Sequence, residues 1–350
     1  SGGVMKFFNS LIVSILLMSS YSSLALQTTL KCDFLRAFPD EKLNDILISP
    51  PSSTPAAIPK IHVEGTLPHT GIYDISANAM RDFSYMRALG ILIRNTNNRD
   101  AVKKLSTYFE AWTSTYKPNF NPIDETLFDG FIDSYLLSKN ELSSETNEAV
   151  KQFLHTMALG YLKAMDSHKT DNDDPWISNW QSHRIKLLTM ISFALDDKKL
   201  YELSKFFYVR QINMNIDQNG EVLDFKKRKA LYYVVYDLEP LVRAALIAQE
   251  NGDDWLHLEG TKKQSLETAL DWLLPYANGS KDHIDFENPT TLFDFIRKKH
   301  NIHGFNGKWS PASAVNLYWS ASVLSKKYRS VALHLSTESP FWLMGLSNCY

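Results

Sequence analysis

Between Ser76 and Lys326, apolar residues return every three or four positions, in runs separated by short polar breaks. That period belongs to helices buried along one face, and the alternation at every second position that marks a half-buried strand is almost absent. The spacing predicts helices over Ser76–Arg94, Ala101–Tyr116, Pro122–Leu137, Ser144–Asp166, Trp176–Leu195, Lys198–Asn213, Arg228–Glu250, Lys262–Tyr276, Thr290–His300 and Pro311–Lys326. In the second of these, Val102, Leu105, Phe109 and Trp112 form the apolar stripe and Pro118 marks the stop. Asp217–Gly220 reads as a turn and Glu221–Phe225 as a short extended piece. No repeat of about 34 or 40 residues is visible, which argues against a solenoid. The expected fold is all-α, an incomplete (α/α) toroid of antiparallel helix pairs with a cleft at one end.

The chain ahead of the helices has a different character. Residues 1–4 read as a cloning scar before Met5. Lys6, the apolar run Leu11–Met18 and the small residues Ser23 and Ala25 have the layout of a secretory signal over residues 5–25. The apolar run is too short for a membrane anchor, which needs about 20 residues. The mature protein is therefore expected in the periplasm or secreted, free of the membrane. Residues 26–59 form an extension that ends in a Pro/Ser-rich stretch, Ser49–Pro59, and residues 60–350 a single domain. After export, Cys32 and Cys349 are candidates for a disulfide across the 316 residues between them. By loop entropy alone it would be worth about 4–5 kcal/mol. Two free thiols near the chain ends are the alternative.

Composition narrows the function without naming it. The 350 residues are 44% hydrophobic and 22% charged, with 37 Lys and Arg against 39 Asp and Glu. A net charge of −2 provides no global basic field to collect nucleic-acid phosphates, so an anionic ligand needs a local cluster. The ten His show no ligand spacing that suggests a metal, and no cofactor motif is present. Eight Trp, 16 Tyr and 19 Phe could furnish a core or a sugar-binding cleft.

Three stretches are chemically unusual, the third being the polar run Lys60–Gly71. In Trp176–Arg184, Asn179 and His183 are four apart and share a helix face, with Trp176, Trp180 and Arg184 on a neighbouring stripe and Gln181 alongside. Such a stripe serves a core as readily as a sugar platform. In Asp224–Pro240, four consecutive cations, Lys226–Lys229, lead into Tyr232, Tyr233 and Tyr236. On one helix, Arg228, Tyr232 and Tyr236 would line one face. A solvated basic run followed by core aromatics is the plain alternative. The polar stretch Lys60–Gly71 reads as a connecting loop, and Asp124 and Glu125 as acidic residues at a helix start.

Asn-Trp-Gln-Ser-His-Arg at 179–184, followed by Lys-Ala-Leu-Tyr-Tyr-x-x-Tyr-Asp-Leu-Glu-Pro-Leu at 229–241, resembles the alginate lyase superfamily. These are the helical-toroid polyuronate lyases of polysaccharide lyase family five and relatives such as family thirty-eight. The resemblance runs from about Lys60 to about Lys326. It implies an active site of His183 and Tyr236, together with an Arg seven residues before the Tyr. That position holds Lys229 here, with Arg228 adjacent. Ser182 stands where the family has an Asn before the His, and Asn179, one turn earlier, is the candidate substitute.

The implied chemistry is β-elimination of an anionic polysaccharide. The C5 proton of a uronate becomes removable when its carboxylate is neutralised, and Asn179, His183 and Arg228 are the residue types for that task. Tyr236 is the expected acid/base, with His183 the base for the opposite ring face. Gln181, Arg184, Lys229, Tyr232 and Trp180 are candidates for substrate contact. Two rivals remain at this point. A glycoside hydrolase would need facing carboxyls, from Asp124 and Glu125 or from Asp237 and Glu239. An inactive or weakly active uronate-binding protein is the other.

Overall fold

The computed structural model describes residue 43 and residues 45–346. The signal segment and the Cys32–Cys349 pairing lie outside the described residues. Ser49–Pro59 is irregular chain, and the first long helix, α1, spans Tyr73–Thr96. It is followed by α2 (Arg99–Thr115), the single turn α3 (Pro122–Glu125), α4 (Phe128–Ser138) and α5 (Ser144–Ser167). Then come α6 (Asn179–Ala194), α7 (Lys198–Asn215), the short α8 (Leu223–Arg228) and α9 (Leu231–Glu250). The series continues with α10 (Leu266–Ala277), α11 (Leu292–Lys299), α12 (Val315–Leu324), α13 (Arg329–Leu335) and α14 (Phe341–Leu346). Side-chain caps fix several starts: Asn98, Ser143 and Asp197 each accept from the backbone three residues on, and Ser265 closes a capping box with Thr268.

Helix contacts follow a ring. α1 packs on α4, α4 on α6, α6 on α9 and α9 on α12. α2, α7, α10 and α13 back α1, α6, α9 and α12 respectively, and α5 packs on α2 and α6. α14 returns to α1, where a Cβ on Gly345 would lie 2.3 Å from Ile91. The helices of the ring are buried almost all round, which is why α6 carries Ile185, Leu187, Leu188, Met190 and Ile191 with few polar breaks. The molecule is thus the all-α incomplete toroid that the periodicity predicts. No described helix is long and apolar enough to cross a membrane.

Several element boundaries differ from the sequence expectation. The helix expected over Pro122–Leu137 breaks at Thr126 into α3 and α4, and the one expected from Lys262 starts at Leu266. Three further differences bear on the cleft. The helix expected from Trp176 instead starts at Asn179, because Asp174–Trp176 forms a separate 3-10 turn opened by Pro175. The helix expected from Arg228 is two helices. Lys229 takes a left-handed φ of 55°, Ala230 is extended, and α9 begins at Leu231. Of the expected strand Glu221–Phe225, only Val222 forms a bridge, to Ile216, and Leu223 already starts α8.

The two short strands, β1 (Ile284–Asp285) and β2 (Gly307–Lys308), pair antiparallel and close off the segment that carries α11. Asp285 accepts from the backbone N–H of Leu231 at 2.8 Å and of Tyr232 at 2.9 Å. A carboxylate on the first N–H groups of α9 joins that segment to the positive end of the helix.

Candidate active site

A cleft of about 420 Å³ opens between the N-terminus of α6, the start of α9, the 63–68 loop and the α11 segment. Asn179, Trp180, Arg228, Tyr232 and Tyr236 line it. A second cavity of about 240 Å³ continues beyond Tyr236, between His183, Lys186, Glu239, Arg243 and Trp342. Thr126, Leu127 and Tyr236 belong to both walls, so Tyr236 stands at the junction.

The rings of Tyr236 and His183 are 4.3 Å apart. Burial pushes the Tyr236 phenol well above its ordinary range, Tyr232 and Tyr233 add to this, and Arg297 partly offsets it. Tyr236 is therefore a proton donor at rest. His183 is held neutral, its pKa driven down first by burial and then by the Lys186 charge. Its Nδ1 lies 2.7 Å from Thr126 Oγ1, and that oxygen accepts from Lys186 Nζ at 2.6 Å. One Thr126 lone pair holds the ammonium and its O–H is free to donate to Nδ1; that arrangement, with the His183 proton on Nε2, is the assigned tautomer. Nε2 is buried with no side-chain partner and leans on the Tyr236 backbone, which keeps the ring beside that residue.

Lys186 also donates to the Thr126 carbonyl at 2.9 Å and to Asp129 at 3.0 Å. At the break between α3 and α4 that carbonyl also accepts from the Asp129 backbone N–H at 3.3 Å. Burial would raise Asp129, but Lys186 and Arg87 outweigh it and hold the carboxyl down at about 2. Arg87 and Arg243 both pair with buried Asp133, completing a rigid charged layer beneath the second cavity. Glu239, one turn past Tyr236, is raised to about 7 by burial, with Lys186 pulling the other way.

On the other wall, Asn179 donates to Asp224 from both its backbone N–H and its Nδ2, at 2.9 and 2.7 Å. Those bonds fix the amide at the positive end of α6, facing the cleft. Arg228 donates to Asp294 through Nε at 2.6 Å and Nη2 at 2.5 Å, and lies 3.8 Å from the Tyr233 ring centre.

A family model described as alginate lyase matches residues 39–283. The chain belongs to the alginate lyase family. Its fold is similar to an alginate lyase from Bacteroides ovatus, at 14% identity and TM-score 0.59, over 86% of this chain and 89% of that one. An apo form of alginate lyase A1-III matches at 17% identity and TM-score 0.58, over 92% and 93% of the two chains. A further structure of that enzyme, from Sphingomonas species A1, matches at 18% identity and TM-score 0.51, over 72% and 77%. A search of curated proteins finds no significant match. As a member of this family, the protein is a polysaccharide lyase.

In this lyase the structure brings Asn179, Trp180, His183, Arg228, Tyr232 and Tyr236 to the two adjacent cavities. Gln181, Arg184 and Lys229 are not among their lining residues. Gln181 Oε1 accepts from Arg184 at 3.0 Å, and Arg184 also donates to the Pro175 carbonyl and lies 3.8 Å from the Trp176 ring centre. Both face the 3-10 turn because that turn, not a continuous helix, precedes Asn179. Lys229 caps α8 with an exposed side chain, and its carbonyl accepts from His283. Arg228 and Tyr232 reach the cleft from separate helices, so the shared helix face expected for them does not exist. Ser182 turns into the core, donating to Asp237 at 2.6 Å and accepting from Gln211.

The carboxyls considered for a hydrolase are otherwise engaged. Asp124 accepts from the Val63 and Glu64 backbone and bonds His62, holding the 63–68 loop over the cleft. Glu125 is buried between the hydroxyls of Tyr116 and Tyr161. Asp237 is buried against Ser182, which leaves Glu239 alone facing a cavity. Residues missed at the sequence level are Thr126, Lys186 and, beyond the stretch matched to the family, Phe293, Asp294, Arg297 and Phe305. Polar residues inside the α6 pattern were the available signal for Lys186.

Proposed function

We propose that this polysaccharide lyase is exported and cleaves a polyuronate of the alginate or mannuronan type by β-elimination, with Tyr236 as acid/base. The observation that carries the reading is Tyr236 on the shared wall of two adjacent cavities, with the neutral His183 ring 4.3 Å away. A chain threaded through both cavities would put one sugar on each side of the tyrosine. Alginate lyase A1-III has been crystallised with a tetrasaccharide, in keeping with such a multi-sugar site.

In the proposed reaction, Asn179 and His183 Nε2–H donate to the carboxylate of the sugar being cleaved, and the Arg228 wall adds positive charge. These donors spread the negative charge that builds as the C5 proton leaves. In the proposed cycle Tyr236 first gives its phenolic proton to solvent as substrate binds. The phenolate then takes the C5 proton and passes it to the C4 oxygen of the departing sugar, which regenerates the phenolate and lets one residue serve both steps when proton and oxygen share a ring face. Burial disfavours the phenolate, and the nearby Arg297 charge opposes that penalty. His183, with its proton on Nε2, is set as a donor in the resting enzyme. The secretory layout of residues 5–25 supports export to the periplasm or beyond.

The test is an ultraviolet absorbance time course on mannuronan, guluronan, glucuronan and mixed alginate. A rise from the conjugated unsaturated product is expected, and the polymer that responds names the uronate. New reducing ends without that absorbance would instead establish hydrolysis. A flat trace on every polymer from folded protein would overturn the lyase reading for these substrates.

A further inference from the structure

The cleft wall opposite His183 carries two guanidinium groups on one buried carboxylate. Arg228 uses Nε and Nη2 on the two oxygens of Asp294, and the same Nη2 also meets the Tyr233 hydroxyl at 2.6 Å. Its plane is further pinned over the Tyr233 ring. Asp294 is fully buried, fixed by α11 and its Thr291 cap. Both of its oxygens are hydrogen-bonded by Arg228, with a longer bond from the Tyr233 hydroxyl at 3.2 Å. Arg297, one turn along α11, approaches Asp294 only to 3.7 Å, beyond hydrogen-bonding distance. It donates through Nη1 to the Tyr233 hydroxyl at 2.8 Å. Its guanidinium carbon lies 4.0 Å from the Phe293 ring centre and 4.3 Å from that of Phe305. Arg228, Tyr233, Phe293, Arg297 and Phe305 line the cleft.

Two cations on one anion leave a net positive charge on this wall, and the geometry assigns it to Arg297. We propose that Arg297 grips a substrate carboxylate directly, while Arg228 is a positioning residue that occupies Asp294 and so keeps Arg297 available. The ligand class is a hexuronate carboxylate within an oligosaccharide. A planar guanidinium whose hydrogen-bonding edge is not committed to a protein carboxylate is suited to a forked pair with that group. The aromatic rings restrict its movement, so less freedom is lost on binding. This inference rests on the proposed polyuronate reading, and it moves the main carboxylate contact from the cation nearest the family motif to one on a separate segment.

The experiment uses full-length mature protein carrying Tyr236→Phe, so that oligosaccharides bind without being consumed. Calorimetric titration with tetramannuronate, tetraguluronate and tetraglucuronate is compared with the carboxyl-reduced, neutral tetrasaccharide of the best ligand. Adding Arg297→Ala is expected to weaken uronate binding about ten- to a hundredfold, with little change for the neutral sugar. Arg297→Lys, which keeps the charge without the fork, should fall between. Arg228→Ala should also weaken uronate binding, because Asp294 then claims Arg297. Adding Asp294→Asn to Arg228→Ala should restore much of the loss, an outcome that a direct contact from Arg228 would not give. Undiminished uronate binding by the Arg297→Ala and Arg297→Lys variants, or no recovery in the double variant, overturns the assignment. If the Tyr236→Phe parent binds none of the uronate tetramers, the polyuronate reading itself fails and the inference with it.

Discussion

The Tyr236 ring packs 4.3 Å from His183, and the Tyr232 ring lies 6.2 Å away on the other side at an interplanar angle of 23°. The phenol proposed as acid/base is therefore positioned by its ring, and its hydroxyl is left to the substrate. Tyr236→Phe keeps the ring and removes only the reacting group. Its turnover should fall by about a thousandfold or more, within the range that positioned acid/base groups contribute. Its thermal midpoint should stay close to that of the parent. Product absorbance and a circular dichroism melt check the two halves of this prediction. Near-parental turnover would remove Tyr236 from the reaction.

The proton on His183 is assigned through Thr126, which links Lys186 Nζ at 2.6 Å to His183 Nδ1 at 2.7 Å. Thr126→Val preserves shape but leaves Nδ1 without its donor and removes one acceptor from a buried ammonium. Stability should drop by about 1–3 kcal/mol, the usual cost of unsatisfied buried polar groups. With the tautomer no longer fixed, turnover should fall by about tenfold, while Thr126→Ser should retain most of both properties. Denaturant melts and nitrogen NMR of the His183 ring give the readouts. An unchanged His183 tautomer in Thr126→Val would show that Thr126 does not set it.

How much of this was legible beforehand follows the range of each interaction. The helical period and the apolar stripes are local, so the ring of helices could be anticipated from Ser76 to Lys326. His183 and Tyr236 were also recoverable, since each lies within a short contiguous motif. Arg184 and Gln181 misled because the chain breaks its helix at Ser178, where Pro175 and the 3-10 turn override the apparent continuity. The division of α8 from α9 was equally hidden, because nothing in Lys226–Lys229 announces a left-handed residue at Lys229. Arg297 and Asp294 join Arg228 from 66 to 69 positions away, brought there by the β1–β2 pairing, the Asp285 cap, the Thr290 bond to the Lys227 carbonyl and the packing of Phe286 and Phe305 on Tyr233. Contacts of that separation leave no periodic trace in the sequence.

Lys229 occupies the left-handed region at φ 55°, and its side chain is exposed outside the cleft. A side-chain-bearing residue there is strained, whereas glycine is not, and glycine is the usual residue after a helix end. Lys229→Gly should therefore leave turnover within about twofold of the parent and stabilise the protein by up to about 1 kcal/mol. Arg228→Ala, one residue earlier, should cost both activity and stability because Asp294 loses its matching charge. Parallel measurement of turnover and urea midpoint separates the two cations. A large activity loss in Lys229→Gly would return the role to the residue that the family motif selects.

Glu239 and His183 have opposite effects on how stability varies with pH. Burial raises Glu239 from 4.5 to about 7 in the folded protein, so the unfolded chain loses this proton first. Between those values the folded state binds more protons at this site, and the Glu239 contribution falls as pH rises. His183 is shifted below 6.5 by burial, so its contribution is present above that value and is lost as pH falls. The two slopes partly cancel in the parent, which hides each of them. Glu239→Gln removes only the first. The variant should gain stability relative to the parent as pH rises from 4.5 to about 7, with the difference levelling off above that range. Urea midpoints of both proteins at half-unit pH intervals test this, and a difference that stays flat across the window would mean that Glu239 titrates near its ordinary value.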